Sequence, residues 1–320
     1  MTADRPLRII FMGTPAFAVP ALVTLKTHHT IVGVFTQPDR PVGRGQKVRF
    51  SPVKEKALEL GLPIFQPLKL TDSGIFELLS GLKPDVIVVA AYGQILKSNI
   101  LNLAPLGCVN IHSSLLPRWR GAAPIQWAIL EGDAESGITT MEMAAKLDAG
   151  RILLQERVPI TAQTTAESLH DALAKMGGDL ILKTLQGLLS KTISAKPQDE
   201  SLVTYAAKLE KDMQWLNCND SVIVLDRKVR ALNPWPGASI KVDMGSTERL
   251  KILSARPHQG PGFCKRGAEI FEKAGLIQLG ASDGALELLK VQWEGKRPMN
   301  MAEFVSGLNG RGQNLPIRVN

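Results

Sequence analysis

Two polar side chains lie two positions apart in an otherwise apolar run. Asn110 and His112 belong to the segment Cys108-Val-Asn-Ile-His112, whose composition predicts a buried β-strand. Alternate side chains of a strand share a face, so these two should point the same way. The Asn110 amide can donate a hydrogen bond to a carbonyl oxygen, and the His112 ring can donate one or move a proton. Taken alone, such a pair is more often a turn cap and a satisfied core histidine.

A carboxylate further along the chain favours the catalytic interpretation. Leu147-Asp-Ala-Gly150 places Asp148 before a glycine turn, between β-like runs at 138–143 and 152–160. An aspartate before a turn is usually structural. If Asp148 instead folds back against His112, it can orient the ring or act as a base through water.

The elements that would position these groups alternate between strand-like and helix-like patterns. The predicted strands are 8–13, 31–35, 85–91 and 108–112, and the predicted helices are 16–25, 52–60, 75–82, 124–130 and 166–189. Continuous apolar strands of this kind form parallel sheets covered on both faces. The pattern predicts an α/β domain with a Rossmann-like, doubly wound, mostly parallel sheet, which binds ligands at the carboxyl ends of its strands.

A second, smaller domain is predicted after a polar linker. We expect a catalytic domain at 1–189, a linker at 190–206 and a C-terminal domain at 207–320. The last of these carries helical patterns near 221–232 and 298–308, and β-like runs at 238–242, 250–253, 268–271, 276–279 and 285–291. Short strands at this spacing predict a small β-barrel similar to the OB type, which is used for nucleic acids.

Composition limits the class of protein. With 320 residues, 44% of them hydrophobic, the chain is too apolar for a disordered protein and long enough for two cores. No apolar run approaches the ~18–20 residues of a membrane helix, and the start of the chain lacks a signal-peptide core. Cys108, Cys218 and Cys264 are odd in number and too far apart for a disulfide framework or a C-x-x-C metal site. We expect a cytoplasmic protein without a metal ion.

The net charge of +8 favours an anionic partner, although mild basicity for solubility explains it as well. The most basic stretch is 37–54, which follows the predicted strand 31–35 and so leaves the sheet at its carboxyl edge. It contains Arg40, Arg44, Lys47, Arg49 and Lys54 against a single acidic residue, Asp39. From charge alone, a solvated loop is the favoured interpretation.

The motifs taken together resemble the folate-dependent formyltransferases. That family's pattern, N-x-H-x-S-L-L-P-x-x-x-G followed by L-D-x-G, is matched at 110–121 and 147–150. Further matches at 13–15, 37–41, 118–126, 204–206 and 230–236 are similar to the members that act on methionyl-tRNA. The resemblance covers nearly the whole chain.

The resemblance implies transfer of a formyl group from 10-formyltetrahydrofolate to the amino group of methionyl-initiator tRNA, in support of translation initiation. It implies a catalytic triad of Asn110, His112 and Asp148, and a folate-binding loop formed by Ser114, Leu115, Leu116 and Pro117. Together with the charge pattern, it favours tRNA contacts at Arg40, Arg44, Lys47, Arg49, Lys208 and Arg230. A monomer is expected.

Some features leave alternatives open. Ala144, Lys146 and Arg151 stand where family members often carry Asp, Gly and Asp. Formyltransferases that act on glycinamide ribonucleotide or on an amino-sugar nucleotide share the catalytic core, as does the hydrolase part of a folate dehydrogenase. A basic nucleic-acid-binding protein without enzymatic activity would explain the charge, but it would leave the three candidate catalytic residues without a role.

Overall fold

A computed structural model describes residues 5–42, 47–259 and 268–319 and divides the chain into two compact units. Unit 1 comprises Met1–Pro124, Glu135–Pro159 and Leu169–Ala206, and unit 2 comprises Ile125–Ala134, Ile160–Ser168 and Ala207–Asn320. Unit 1 therefore includes the residues predicted as a linker. The domain boundaries at 189 and 206 stay a prediction.

Unit 1 is built on a mostly parallel sheet. Its strands are β1 (Arg8–Gly13), β2 (Thr30–Phe35), β3 (Arg40–Val42), β4 (Lys47–Arg49), β5 (Ile64–Phe65), β6 (Val86–Ala90), β7 (Cys108–His112), β8 (Arg120–Gly121), β9 (Glu135–Glu142), β10 (Ile152–Pro159) and β11 (Tyr205–Ala206). Seven of them form one sheet in the order β10-β9-β7-β6-β1-β2-β5. The pairs from β7 to β5 are parallel, whereas β9 runs antiparallel to both β7 and β10. The predicted α/β class is confirmed.

The α-helices between residues 5 and 206 are α1 (Val19–His28), α2 (Pro52–Glu59), α3 (Ile75–Gly81), α4 (Ser98–Leu101), α5 (Pro124–Glu131) and α6 (Ala166–Ser190). Helix α5 after Pro124 and the start of α6, residues 166–168, belong to unit 2. Every residue of β6 and β7 is buried, as a sheet covered on both faces requires. Helix α6 approaches β7 closely, since a Cβ at Gly177 would lie 2.9 Å from Ile111 Cγ2. Ile111 thus faces α6, which leaves Asn110 and His112 on the opposite face.

Two small strand pairs have no counterpart among the predicted elements. Strands β3 and β4 form an antiparallel hairpin within the basic stretch 37–54, and β8 pairs in parallel with β11. Strands of two or three residues are too short to show an alternating pattern, so sequence periodicity cannot predict them.

Unit 2 contains an antiparallel sheet whose edges meet. Its elements are α7 (Val222–Leu232), β12 (Ser239–Asp243), β13 (Thr247–Gln259), β14 (Glu269–Lys273), β15 (Leu276–Gly280), β16 (Gly284–Trp293), β17 (Met299–Asn300), α8 (Met301–Asn309) and β18 (Ile317–Arg318). The strand order is β12-β13-β16-β15-β14-β18, with β17 added to β16. An antiparallel bridge between Val242 and Val319 joins the two edges. This closed antiparallel arrangement agrees with the predicted barrel.

The interior of the barrel is filled by aliphatic side chains from its strands, among them Leu250, Ile252, Leu286 and Leu288. Helix α8 adds Phe304, whose ring lies 5.9 Å from the ring of Trp293. In the part of the chain that the structure describes, no helix is both long and apolar enough to span a membrane.

Replacing this buried ring should destabilise the barrel. We expect Phe304→Ala to lower the free energy of unfolding of unit 2 by about 3–5 kcal/mol, because it removes apolar contacts and leaves a cavity. Hydrogen exchange followed by mass spectrometry would show faster exchange in β12 to β16. The control Phe50→Ala removes an exposed ring of unit 1 and should leave those amides protected. Equal protection in Phe304→Ala and the wild type would contradict this packing.

Candidate active site

Strand β7 presents Asn110 and His112 on one buried face. His112 Nε2 lies 2.9 Å from the carbonyl oxygen of Trp119. A carbonyl oxygen only accepts hydrogen bonds, so Nε2 carries a hydrogen and donates it. This contact leaves Nδ1 as the nitrogen that can exchange a proton. The side-chain amide of Asn110 makes no hydrogen bond to any other residue that the structure describes.

Asp148 reaches the same place from the turn between β9 and β10. Its Oδ2 lies 3.9 Å from His112 Nδ1 and accepts a hydrogen bond of 2.9 Å from the Gly121 amide. The longer distance exceeds a hydrogen bond but permits a charge interaction or a bridging water. The turn is tight: Asp148 has a left-handed φ of 47°, and a Cβ at Gly150 would lie 1.6 Å from the Glu142 carbonyl oxygen. Only glycine fits at that position.

The structure thus brings the carboxylate of Asp148 next to His112, on a strand that also carries Asn110. An amide donor, an imidazole with one free nitrogen and a carboxylate can stabilise a developing negative charge and relay a proton. Among the described residues, no group of three or more His, Cys, Asp or Glu side chains is placed to hold a metal ion.

The predicted folate loop is held from β9 and β10. Thr139 Oγ1 donates to the Ser114 carbonyl oxygen at 2.6 Å and accepts from the Leu116 amide at 3.1 Å. Gln155 Nε2 donates to the Leu116 carbonyl oxygen at 2.9 Å. Ser114 Oγ donates to the Arg118 carbonyl oxygen at 2.6 Å, which closes the loop on itself. The loop backbone is therefore fixed before any ligand binds.

Leu115 and Pro117 complete this loop, and both are half-buried. Sequence reasoning missed Thr139 and Gln155, the two residues that support the loop. The signal that could have found Thr139 is a buried hydroxyl within an apolar strand pattern, since such a group needs a partner. Gln155 carries no comparable signal.

Two of the unusual residues around Asp148 form ion pairs. Lys146 Nζ lies 3.1 Å from Glu200, and Arg151 makes two contacts of 2.6 and 2.9 Å with Glu142. Hydrogen bonds from Arg120 and Lys146 lower the pKa of Glu200 to about 2. Both cations thus have partners within unit 1.

Three candidate tRNA-binding residues of unit 1, Arg40, Lys47 and Arg49, lie in strands β3 and β4. Arg40 and Arg49 are directly opposite each other in its register, and both are exposed. Antiparallel partners in register share a face, so two positive charges lie side by side there. Lys47 begins β4, and Arg44 lies outside the described residues.

A polar network fixes the base of this hairpin. Lys54 Nζ donates to both Asp39 and Gln66, and Gln66 Nε2 donates to the Gln37 carbonyl oxygen at 2.9 Å. The hydrogen bond from Lys54 is the main reason why the pKa of Asp39 lies below its usual value. Lys54 is therefore part of the support of the hairpin.

In unit 2, the two candidate tRNA-binding residues differ in their surroundings. Lys208 is exposed. The Arg230 side chain is only 14% exposed, and it donates to Asp226 and to the Thr164 carbonyl oxygen, each at 2.8 Å. Arg230 therefore holds parts of unit 2 together, and its assignment to tRNA stays a prediction.

Comparison with known proteins gives consistent matches in both parts of the chain. Residues 7–185 match the family described as formyl transferase, and residues 208–309 match the formyl transferase C-terminal domain. A methionyl-tRNA formyltransferase of Pseudomonas fluorescens is 46% identical over 316 residues, which are 98% of this chain and 96% of that protein.

Two solved structures share the fold at lower identity. WlaRD, a sugar 3N-formyl transferase, has a TM-score of 0.65 at 19% identity, covering 92% of this chain and 100% of that one. HypX of Aquifex aeolicus, in complex with tetrahydrofolic acid, has a TM-score of 0.62 at 18% identity. That match covers 96% of this chain, which spans about half the length of HypX. Since the family matches cover both parts of the sequence and the relative matches nearly all of it, the chain belongs to the formyl transferase family.

Proposed function

We propose that the protein transfers the formyl group of 10-formyltetrahydrofolate to the amino group of methionyl-initiator tRNA and thereby supports translation initiation. The observation that carries the proposal is the Asn110 side chain, which makes no hydrogen bond to another described residue and lies on the same strand face as His112, beside Asp148. The Asn110 amide nitrogen is therefore available to donate a hydrogen bond to a substrate carbonyl oxygen. The 46% identity to a methionyl-tRNA formyltransferase supports the choice of substrate.

The reaction forms a bond from the methionyl nitrogen to the formyl carbon and breaks the bond from that carbon to folate nitrogen N10. Asn110 Nδ2 donates a hydrogen bond to the formyl oxygen, on which negative charge develops as the amine attacks. Removal of one such donor costs ~10²–10³-fold in rate. The folate co-substrate supplies the formyl group and leaves as tetrahydrofolate.

His112 moves the proton. Its Nε2 is committed to the Trp119 carbonyl oxygen, so Nδ1 takes the proton that the amine loses and delivers it to N10. The Asp148 carboxylate, 3.9 Å from Nδ1, stabilises the imidazolium that exists between these two transfers. In its charged form the ring can also donate from Nδ1 to the formyl oxygen.

The loop of Ser114, Leu115, Leu116 and Pro117 would hold the folate. Its backbone is fixed by Thr139 and Gln155, so the loop needs no ordering when the co-substrate binds. HypX, a protein of related fold, was solved in complex with tetrahydrofolic acid, which is consistent with a folate ligand.

The β3–β4 hairpin would bind tRNA phosphate. Arg40 and Arg49 repel each other across the hairpin, and an anion placed between them removes this repulsion. Both guanidinium groups can make bidentate contacts to phosphate. Arg44 and Lys47 would extend the contact, and Lys208 would add one from unit 2. We further propose that the protein acts as a monomer in the cytoplasm.

A substrate comparison tests the function directly. The protein should add one formyl group to methionyl-tRNA, measured by mass spectrometry, and it should leave glycinamide ribonucleotide and an amino-sugar nucleotide unmodified under the same conditions. The nearly full-length match to a methionyl-tRNA formyltransferase is the reason for this expectation. Preferential formylation of either small amine would contradict the proposal.

Removal of the imidazole or of the neighbouring charge should slow the reaction. We expect His112→Ala and Asp148→Asn each to lower kcat by orders of magnitude, with little change in the affinity for the folate co-substrate. The two losses should not add, because the residues act as one unit. Steady-state kinetics of both single variants and the double variant would measure this. A double variant as slow as the product of the two singles would contradict the coupled arrangement.

Loss of the hairpin arginines should weaken the binding of tRNA without changing the binding of the folate co-substrate. The double variant Arg40→Ala with Arg49→Ala should raise the KM for methionyl-tRNA and leave the KM for the folate co-substrate unchanged. Each lost phosphate contact should reduce the slope of log affinity against log salt by about 0.7–0.9. The matched control Lys175→Ala removes an exposed positive charge from α6 and should behave as the wild type. An unchanged salt slope in the double variant would contradict the assignment.

Arg44→Ala should act in the same direction, although the position lies outside the described residues. We expect slower formylation at subsaturating tRNA and unchanged folate binding. Arg44→Lys should recover only part of the loss, because an ammonium cannot make the bidentate contact of a guanidinium. Wild-type rates in Arg44→Ala under these conditions would remove Arg44 from the contact.

A further inference from the structure

The segment between α6 and unit 2 runs along the candidate site. Lys196 exchanges two backbone hydrogen bonds of 2.8 Å with Ile152, next to the Asp148 turn. Thr204 Oγ1 accepts a hydrogen bond of 3.0 Å from the Trp119 amide, and Trp119 is the residue whose carbonyl oxygen holds His112. Strand β11 then pairs with β8. This segment therefore contacts the supports of the site.

Arg120, in β8, is the most buried charge of this region. The residue is 0% exposed, and its guanidinium donates to Gln198 Oε1 from Nε at 3.0 Å and from Nη2 at 2.9 Å. Nη2 also donates to Glu200 Oε1 at 2.7 Å. The Glu200 side chain is 60% exposed, and its carboxylate compensates the positive charge of the buried Arg120 guanidinium. A buried guanidinium needs such partners to offset its desolvation.

Arg120 decides which way the Gln198 amide points. A guanidinium has donors and no acceptor, so the oxygen of the amide must face it. The Gln198 nitrogen is thereby directed to the other side, where it donates to the carbonyl oxygens of Asp148 and Gly150, each at 2.8 Å. The orientation of the amide follows because the guanidinium can only donate hydrogen bonds and the two carbonyl oxygens can only accept them.

Asp148 is consequently held at two atoms by two consecutive residues of β8. The Gly121 amide binds its carboxylate directly, and Arg120 binds its backbone carbonyl through Gln198. Asp148 needs this hold because a left-handed φ is a strained conformation for a residue other than glycine. Without the Gln198 donors, the turn can relax to an ordinary φ, and the carboxylate would move away from His112.

We propose that Gln198, oriented by Arg120, is a positioning residue that keeps the Asp148 carboxylate beside His112. The inference rests on the proposed function, in which Asp148 acts on the imidazole. Gln198 itself touches neither substrate nor His112, so its effect passes through the Asp148 turn. The residue lies in the stretch whose polar sequence predicts a linker.

The most informative variant is Gln198→Glu. It keeps the size of the side chain and an oxygen for Arg120, but it places a second oxygen against two carbonyl oxygens. We expect kcat to fall by about 10–100-fold, since small misplacements of a reacting group cost rates of this order. The KM values for tRNA and for the folate co-substrate should change less than about twofold, because the proposed tRNA and folate contacts do not involve the Asp148 turn.

Two further variants control for charge and for folding. Gln186→Glu makes the same change at an exposed position of α6 and should retain wild-type rates. Gln198→Met removes the two hydrogen bonds to the carbonyl oxygens of Asp148 and Gly150 without adding a charge. It should therefore show the same loss of kcat as Gln198→Glu. It replaces Gln198→Glu in the test if that variant does not fold. Circular dichroism and the thermal unfolding midpoint report the folded state of each variant. Wild-type kcat in folded Gln198→Met would overturn the proposal.

The deciding measurement is a double-mutant cycle with Asp148→Asn. If Gln198 acts through the Asp148 carboxylate, Gln198→Met should slow the Asp148→Asn enzyme by less than about twofold. An equal loss in both backgrounds would mean that Gln198 acts independently, which overturns the inference and leaves the proposed function intact. An unchanged rate in Asp148→Asn alone would overturn the role of Asp148, and with it this inference.

Discussion

The hydrogen bond from His112 Nε2 to the Trp119 carbonyl oxygen constrains the chemistry of the whole site. Because that carbonyl oxygen can only accept, the bond assigns a hydrogen to Nε2 and leaves Nδ1 as the exchanging atom. Nδ1 is also the atom that lies 3.9 Å from Asp148. The rest of unit 1 supports this one orientation: β7 carries the ring, the Ser114 loop returns the chain to Trp119, and β8 anchors Asp148.

The supports come from segments that are far apart in the chain. Thr139 fixes the Ser114 loop from β9, and the Trp119 amide is held by Thr204. Gln198 reaches the Asp148 turn from a position 50 residues further along the chain. A site assembled this way depends on the folded sheet as a whole, since each partner is placed by a different element. This construction suits a reaction in which an amide, an imidazole and a carboxylate must keep their spacing.

The positively charged residues discussed above are of two kinds, those paired within the fold and those exposed without an ion pair to a described residue. Lys54, Arg120, Lys146 and Arg230 are paired within their own units, where they orient loops and turns. Arg40, Arg49 and Lys208 are exposed and make no ion pair with another described residue. A net charge of +8 therefore overstates what a polyanion can contact, and the position of the exposed cations matters more than the sum.

Much of the fold follows from local patterns, whereas the supports of the site do not. Strands β6 and β7 were predictable because burial on both faces requires a continuous apolar run. Helix α6 was predictable because burial on one face requires apolar residues at helical spacing. Asn110, His112 and Asp148 could be proposed from residue type and motif. Strands β8 and β11 are too short to show a period, and Gln198 looks like linker sequence because its partners lie on other segments. The Trp119 contact uses a backbone carbonyl oxygen, for which residue identity gives no signal.

The tautomer of His112 is the most direct test of this account. Nitrogen NMR of protein labelled at its histidine rings distinguishes a protonated from an unprotonated ring nitrogen, and His112→Ala identifies the signal. The account predicts that the neutral ring carries its hydrogen on Nε2 and that Nδ1 is the unprotonated nitrogen. A neutral ring with its hydrogen on Nδ1 would contradict the account, because Nδ1 could then not accept the proton of the attacking amine.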